Sequence, residues 1–298
     1  MKLAIVIPYY KINFFEVTLD SLANQTNKQF KVYIGDDASP DNPTALLEKY
    51  KNKIDFVYQR FEDNLGGTSL VQQWERCMEL ANDEPWRMIL GDDDVLGVNA
   101  VEVFYENLET ITQEKSNVIR YASQVIDANG QSISIIHKHP KLEKGLDFLL
   151  RKSKGGTRSS LSEYIFKTEK VKAIKFKDFP LAWSSDVLAV IEFSDFKNIY
   201  TINEALVYVR NSGANISSQN DSVEKNTALF KFNHYLLTHY KKQLSQELTQ
   251  LIFNKIEKVQ LNNKKTPIRW IKLFGLYLLY KQFSRSSKIF KKVKESIK

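Results

Sequence analysis

The polar and apolar positions of this chain change period as it runs. Leu3-Ala4-Ile5-Val6-Ile7 is an unbroken apolar run stopped by Pro8, as expected of a parallel strand covered on both faces. Phe14, Val17, Leu19 and Leu22 then recur at helical spacing. A second strand is predicted over Phe30–Ile34 and ends in Gly35-Asp36-Asp37, and Pro40–Pro43 breaks the chain before a helix over Thr44–Tyr50. Ile54–Arg60 reads as a strand, Ser69–Leu80 as a helix and Trp86–Leu90 as a fourth strand. This alternation predicts an α/β fold with a doubly wound, mostly parallel sheet and helices on both faces.

Beyond a helix at Asn99–Thr112 the texture changes. Val118–Ile126 and Gln131–Ile136 flank Asp127-Ala128-Asn129-Gly130, a hairpin signal. Gly155-Gly156 opens a flexible stretch before a strand at Leu161–Phe166, Ser185–Phe193 is helical, and Asn198–Ile202 and Leu206–Val209 are late strands. From Val223 onward the pattern is helical and increasingly basic, which divides the chain into a domain over residues 1–220 and a helical extension over 221–298.

With 298 residues, 43% hydrophobic and 26% charged, the chain has the composition of an ordinary soluble globular protein with a substantial core. The net charge of +8 is unevenly spread: thirteen Lys/Arg and two Asp/Glu fall in Leu251–Lys298, so the preceding part is slightly acidic. A nucleic-acid enzyme lines its working domain with positive charge, and this distribution argues against one. The single cysteine, Cys77, excludes an internal disulfide. The strand-length apolar start is not a signal peptide, and no segment reaches the length of a membrane span. These features set the expectation of a cytoplasmic protein. Trp270, Ile271, Leu273, Phe274 and the run Leu276–Tyr280 lie among Arg269, Lys272, Lys281, Arg285 and Lys288, a composition suited either to the inner face of the cell membrane or to a packed helical pair.

Four constellations carry chemistry. Pro8-Tyr9-Tyr10 after strand one and Asp36-Asp37 after strand two put aromatic faces and carboxylates at one sheet edge, able to stack a base and accept its ring N–H; Asp and Ser there are equally good helix caps. Asn64-Leu65-Gly66-Gly67 precedes a helix, where glycines let backbone approach a ligand and free N–H groups favour an anion, although no phosphate-loop fingerprint is present. Gly91-Asp92-Asp93-Asp94 ends an apolar run at the edge where open α/β sheets bind ligands, and its clustered hard oxygens suit Mg²⁺ or Mn²⁺. Trp183-Ser184-Ser185-Asp186 supplies an Asp opening a helix, a cap or a general base. The pairs His137/His139 and His234/His239 lack an obvious third zinc ligand, and Cys77 reads as a buried helix residue.

In order and spacing, Ile5-Val6-Ile7-Pro8-Tyr9-Tyr10, Gly35-Asp36-Asp37-Ala38-Ser39, Asn64-Leu65-Gly66-Gly67 and Gly91-Asp92-Asp93-Asp94 resemble a family 2 glycosyltransferase of the GT-A fold, over about residues 1–215. The resemblance implies an inverting, metal-dependent hexosyltransferase acting on a nucleotide-diphosphate sugar, with a uridine diphosphate donor the leading choice. It implies a glycan or lipid-linked acceptor hydroxyl, as in bacterial surface-polysaccharide assembly. On the donor it implicates Pro8, Tyr9, Tyr10, Asp37 (base), Asn64, Gly66, Gly67 and Asp92. The family's Asp-x-Asp holds the metal; Gly91 replaces its usual first aspartate, so Asp92 and Asp94 form a literal Asp-x-Asp while alignment favours Asp93, with Asp94, as metal ligand. Asp186 falls where the family has its base. Gly156, Thr157, Arg158 and Trp183 fall on the acceptor side, and Arg210-Asn211-Ser212-Gly213-Ala214-Asn215 resembles the loop closing over the diphosphate, with Arg210 supplying positive charge. A non-catalytic nucleotide-sugar binder is the alternative that Gly91 and the Ser-Asp pair leave open; a basic nucleic-acid binder is disfavoured by the charge distribution.

Overall fold

The computed structural model describes residues 3–213 and 222–295. The first strands are β1 (Leu3–Tyr9), β2 (Phe30–Asp36), β3 (Phe56–Arg60) and β4 (Trp86–Ile89), joined by helices α1 (Phe15–Ala23), α2 (Thr44–Glu48) and α3 (Leu70–Glu79). They pair in parallel in the order β3-β2-β1-β4, with Tyr9 opposite Asp36 and Asp36 opposite Arg60. Parallel pairing sends every strand's C-terminal end to the same edge, so the loops bearing the sequence motifs converge there. Both faces of β1 and β2 are covered, which is why they read as continuous apolar runs. Leu3, Ile5, Ile7, Val32 and Ile34 pack with Phe15 and Leu19 of α1, Leu46 of α2 and Phe104 of α4 (Ala100–Gln113). On the other face Gly35 lies against Cys77 of α3.

The sheet continues as β8-β6-β9-β5, with β7 beside β9. These are β5 (Val95–Leu96), β6 (Val118–Ile126), β7 (Leu142–Lys144), β8 (Tyr164–Lys167) and β9 (Asn198–Arg210). Here the pairing is mixed: β6–β9 is parallel, while β4–β8, β6–β8, β5–β9 and β7–β9 are antiparallel. The expected α/β sheet is thus wholly parallel in its first half and mixed in its second. Helices α5 (Gly145–Ser153), α6 (Thr168–Ile174) and α7 (Ser185–Phe193) lie between these strands in sequence.

Three local expectations are corrected. Gln131–Ile136 is not a strand: the turn forms, with Gly130 N–H donating to Asp127 O, but the returning arm meets β6 through the isolated bridges Ile126–Ser132 and Ser123–His137 and scattered bonds such as Ile133 N–H to Val125 O, not through a continuous ladder. The two late strands are one strand, β9, whose register against β6 jumps from Ile202 to Leu206. The skipped residues bulge, and Asn203 there exchanges hydrogen bonds with the His139 backbone. The expected strand at Leu161 begins with a single 3-10 turn, Leu161–Glu163, before β8.

The chain divides into two compact units, residues 1–178 with 185–219, and residues 179–184 with 220–298. The second is helical: α8 (Val223–His239), α9 (Gln246–Asn262), α10 (Pro267–Leu279) and α11 (Phe283–Glu295). Ser222 and Ser245 cap α8 and α9 by accepting from Lys225 N–H and Leu248 N–H. Arg285 of α11 pairs with Glu257 of α9 at 3.1 Å, and Glu257 also accepts from Tyr277 of α10. Among the described residues no helix is long and apolar enough to cross a membrane.

Candidate active site

At the ends of β1, β2 and β3 the two neighbouring aspartates do different work. Asp36 is fully buried and accepts from Ser39 N–H (2.8 Å), Tyr58 O–H (2.6 Å) and Arg60 (2.8 Å), so it knits β2 to β3. Asp37 turns to the loop after β3, where Oδ1 accepts from Leu65 N–H (2.8 Å) and Arg76, and Oδ2 from Gly66 N–H (2.9 Å). A carboxylate has about four acceptor positions, so these three donors leave Oδ2 able to receive one more N–H. Burial nonetheless raises the Asp37 carboxyl above its ordinary range. Gly66 is required by this packing, since a methyl group there would run into Asp37 Oδ2. Asn64 Oδ1 accepts from Gly67 N–H at 2.7 Å and closes the turn.

The three acidic residues after β4 are also divided. Asp92 Oδ2 accepts from Tyr10 N–H (2.7 Å) and Lys11 N–H (2.8 Å), tying the loop after β1 to the loop after β4. Asp94 is buried; one oxygen accepts from Ser162 O–H and the other from Arg210 N–H (2.9 Å). Asp93 lines a cavity of about 350 Å³ together with Asp92, Lys11, Asn13, Phe14 and Ser212. Burial raises all three carboxyls, Asp92 to about 6, and mutual repulsion raises Asp93 further. The glycine that replaces the familiar first aspartate has a physical reason. A Cβ at Gly91 would lie 3.0 Å from Asp94 Oδ2 and 3.2 Å from Asp93 Oδ1, so the two carboxylates occupy that space.

Among the described residues no group of three or more His, Cys, Asp or Glu side chains is arranged to hold a metal ion. Asp92 and Asp93 both line the cavity, and Asp92 Oδ2 there already accepts two backbone N–H groups, while Asp94 is held by Ser162 and Arg210 N–H. Mg²⁺ and Mn²⁺ are commonly held by one or two carboxylates with phosphate oxygens filling the shell. The residues therefore fit a divalent ion that arrives with a diphosphate.

A second set of groups lies beside β6 and β8. Asp186, in the first turn of α7, has its carboxyl raised by burial; Lys152 and Arg158 are the positive charges that partly offset this. Arg158 donates to Ser123 Oγ (3.2 Å), stands 3.6 Å from buried Glu163, and partly offsets the burial that raises the carboxyl of Asp94. One guanidinium thus acts on both the acidic cluster and Asp186. Behind it, fully buried Arg120 pairs with Glu143 (2.9 Å), which also receives Arg151 (2.7 Å), and Arg151 meets His139 Nδ1 at 2.8 Å. Burial, with Arg120 and Arg151 nearby, pushes the His139 imidazole down to about 2, so it is neutral.

Several residues named from the sequence take other roles. Tyr9 is wholly buried with its ring 4.6 Å from Phe15, so of the aromatic pair it is Tyr10 that presents a face to solvent. Pro8 is half-buried at the same edge. Arg210 is buried over the Phe14 ring, with Nε on Asp93 O (2.9 Å) and Nη1 on Asp127 O (2.8 Å), so these two donors brace backbone. Gly155-Gly156 is no flexible stretch: the two N–H groups return to Lys152 O and Arg151 O and close α5. Thr157 hydroxyl donates to Arg158 O. Trp183 belongs to the second unit, with Lys225 over its ring at 4.0 Å. Ala214 and Asn215 of the late loop lie outside the described residues.

Sequence reasoning missed Lys11, Asn13, Phe14 and Ser162. Lys11 follows the Pro-Tyr-Tyr run directly and was legible as a cation at a strand end. Ser162 was not, because its partner Asp94 is 68 positions away.

The family model described as Glycosyl transferase family 2 matches residues 4–166. The poly(ribitol-phosphate) beta-N-acetylglucosaminyltransferase TarS of Staphylococcus aureus strain Mu50 is 34% identical over 70 residues, 22% of this chain and 12% of that protein. Chondroitin synthase of Pasteurella multocida strain Pm70 is 38% identical over 63 residues, 20% of this chain and 6% of that protein. The matched stretches are thus small parts of both relatives. The crystal structure of S. aureus TarS 1–349 in complex with UDP-GlcNAc is similar in fold, with a TM-score of 0.62 at 18% identity, covering 87% of this chain and 80% of that one.

Proposed function

The chain belongs to glycosyl transferase family 2, and from that premise we propose that it transfers a sugar from a nucleoside-diphosphate donor to an acceptor hydroxyl with inversion at the anomeric carbon. The observation that carries this reading is the convergence of Asp37, the Asp92-Asp93-Asp94 cluster and its cavity at one sheet edge. The similar fold of a TarS fragment crystallised with UDP-GlcNAc supports a uridine diphosphate donor. The matches to enzymes named for poly(ribitol-phosphate) and chondroitin support a polymeric acceptor of the kind used in bacterial surface-polysaccharide assembly.

Asp37 Oδ2 accepts the ring N–H of the base, and Tyr10 offers the exposed aromatic face beside it. Lys11 brings positive charge to the diphosphate. Asp93 is the residue to hold a divalent ion, which when bound offsets charge on the leaving group. Asp186 takes the proton from the acceptor hydroxyl as that oxygen attacks the anomeric carbon; the bond to the diphosphate oxygen breaks, and the nucleoside diphosphate leaves with the electron pair. A carboxyl raised by burial is a better proton acceptor than an ordinary aspartate. A nucleotide-sugar donor and a buried, unreactive Cys77 thiol suit the cytoplasm, where we place the activity.

Calorimetry with uridine, guanosine and thymidine diphosphate sugars, with Mn²⁺ and with chelator, tests the donor half. Binding of one donor that weakens with chelator and in Asp93→Asn is expected. A wild-type protein that binds no nucleotide sugar with metal present would sink the proposal.

A further inference from the structure

Helix α10 has two apolar faces. One packs within the helical unit through Leu273, Leu276 and Tyr277, with Arg269 donating to Thr227. The other carries Ile268 (62% exposed), Ile271 (71%), Leu278 (67%) and Leu279 (44%), and Phe283 (60%) follows at the start of α11. Ile268, Ile271, Gly275, Leu278 and Leu279 fall at i, i+3, i+7, i+10 and i+11, which is one side of a helix. A helix at a protein surface ordinarily turns polar residues outward, and here Lys272 is the only charged residue among the exposed positions of α10.

The surroundings of this stripe identify its partner. Exposed Lys264 and Lys265 precede it, and exposed Lys281 and Lys288 follow it. No Asp or Glu occurs in the sequence between Glu257 and Glu295. An aliphatic face with lysines at both ends matches a plane of acyl chains edged by anionic headgroups, where lysine stems lie along apolar surface and their ammonium groups reach the phosphates. Nucleic acid offers nothing to the aliphatic side chains. At 13 residues α10 is too short to span a bilayer, so the contact is interfacial.

We propose that the outer face of α10, with Phe283 and the flanking lysines, docks on an anionic lipid bilayer. The surface is then that of a peripheral protein whose acceptor sits at the membrane. This inference stands on the helical unit alone, and its test reads lipid rather than turnover, so its failure and that of the transferase reading are separate results.

The full chain is floated with vesicles of phosphatidylcholine alone and of phosphatidylcholine with phosphatidylglycerol, mixed about three to one. Binding to the anionic vesicles that falls with added salt is expected. Ile271→Glu with Leu278→Glu should weaken it at least roughly tenfold, because two charges enter the acyl boundary. Lys264→Gln, Lys265→Gln and Lys272→Gln together, which alter no apolar packing, should weaken it several-fold with helix content unchanged by circular dichroism. Failure of the wild type to float with anionic vesicles at low salt overturns the proposal, as does flotation of the lysine variant at the wild-type level. A dimer in solution that Ile271→Glu dissolves also overturns it, by assigning the face to a second copy of the chain.

Discussion

The donor-side edge and the region behind Asp186 use the same residue types in opposite ways. At the donor edge, aspartates accept mainly from backbone N–H groups, Asp37 from Leu65 and Gly66, Asp92 from Tyr10 and Lys11, Asp94 from Arg210, with Arg76 and Arg60 pairing Asp37 and Asp36. Behind Asp186, charged side chains face other charged side chains, in the chain His139–Arg151–Glu143–Arg120 and the pair Arg158–Glu163. The first arrangement fixes loop shape, and its acids keep acceptor capacity or face a cavity. The second holds buried charge that is tolerable only as a set. The candidate donor edge is thus shaped mainly through backbone N–H groups, and the charge network beyond Arg158 is built from side chains.

The sharpest way to break this contrast is Glu143→Ala. It leaves Arg120 buried without its carboxylate, and removing one partner of a buried pair costs about 3–5 kcal/mol. Urea unfolding should show a loss of that size. A loss under about 1 kcal/mol, the scale of an exposed pair, would show that the network is not an interdependent set.

Gly66→Ala probes the donor edge and should act on binding more than on stability. Its methyl group displaces Asp37 Oδ2, and a lost charge-assisted hydrogen bond of about 1.5 kcal/mol corresponds to roughly tenfold weaker donor binding. Calorimetric affinity unchanged from wild type would separate Asp37 from the base.

The smallest effect concerns pH. His139 has a folded pKa far below its unfolded value of 6.5, so the stability it contributes is present above 6.5 and is lost as pH falls. Glu143, whose carboxyl its arginines hold below the ordinary range, adds a loss of the same sign at lower pH. Stability should drop by about 1 kcal/mol per pH unit below that point, and the drop should be smaller in His139→Gln. A stability flat between pH 7 and pH 5.5 would place the imidazole in contact with water.

The contrast also explains what the sequence made legible. In the first half β1, β2 and β4 are buried on both faces and each motif sits at a strand's following turn, so apolar runs and strand-end residues mark both the fold and the edge. In the second half, Ile133, Ile135 and Ile136 imitate a strand but are exposed, at 54%, 77% and 42%. The bulge in β9 broke one strand into two apparent ones. Side-chain partners were the least legible part. Nothing near Arg210 in sequence announces that its guanidinium faces the backbone of Asp93 and Asp127, and nothing near Asp94 announces Ser162.

The most direct test of the central claim compares nucleoside diphosphate release by wild type and Asp186→Asn, using the donor identified by calorimetry and Mn²⁺. The account predicts that the variant binds donor as wild type does and keeps its unfolding midpoint, while release falls by about 10²–10⁴-fold. Release by the variant at the wild-type rate would contradict it.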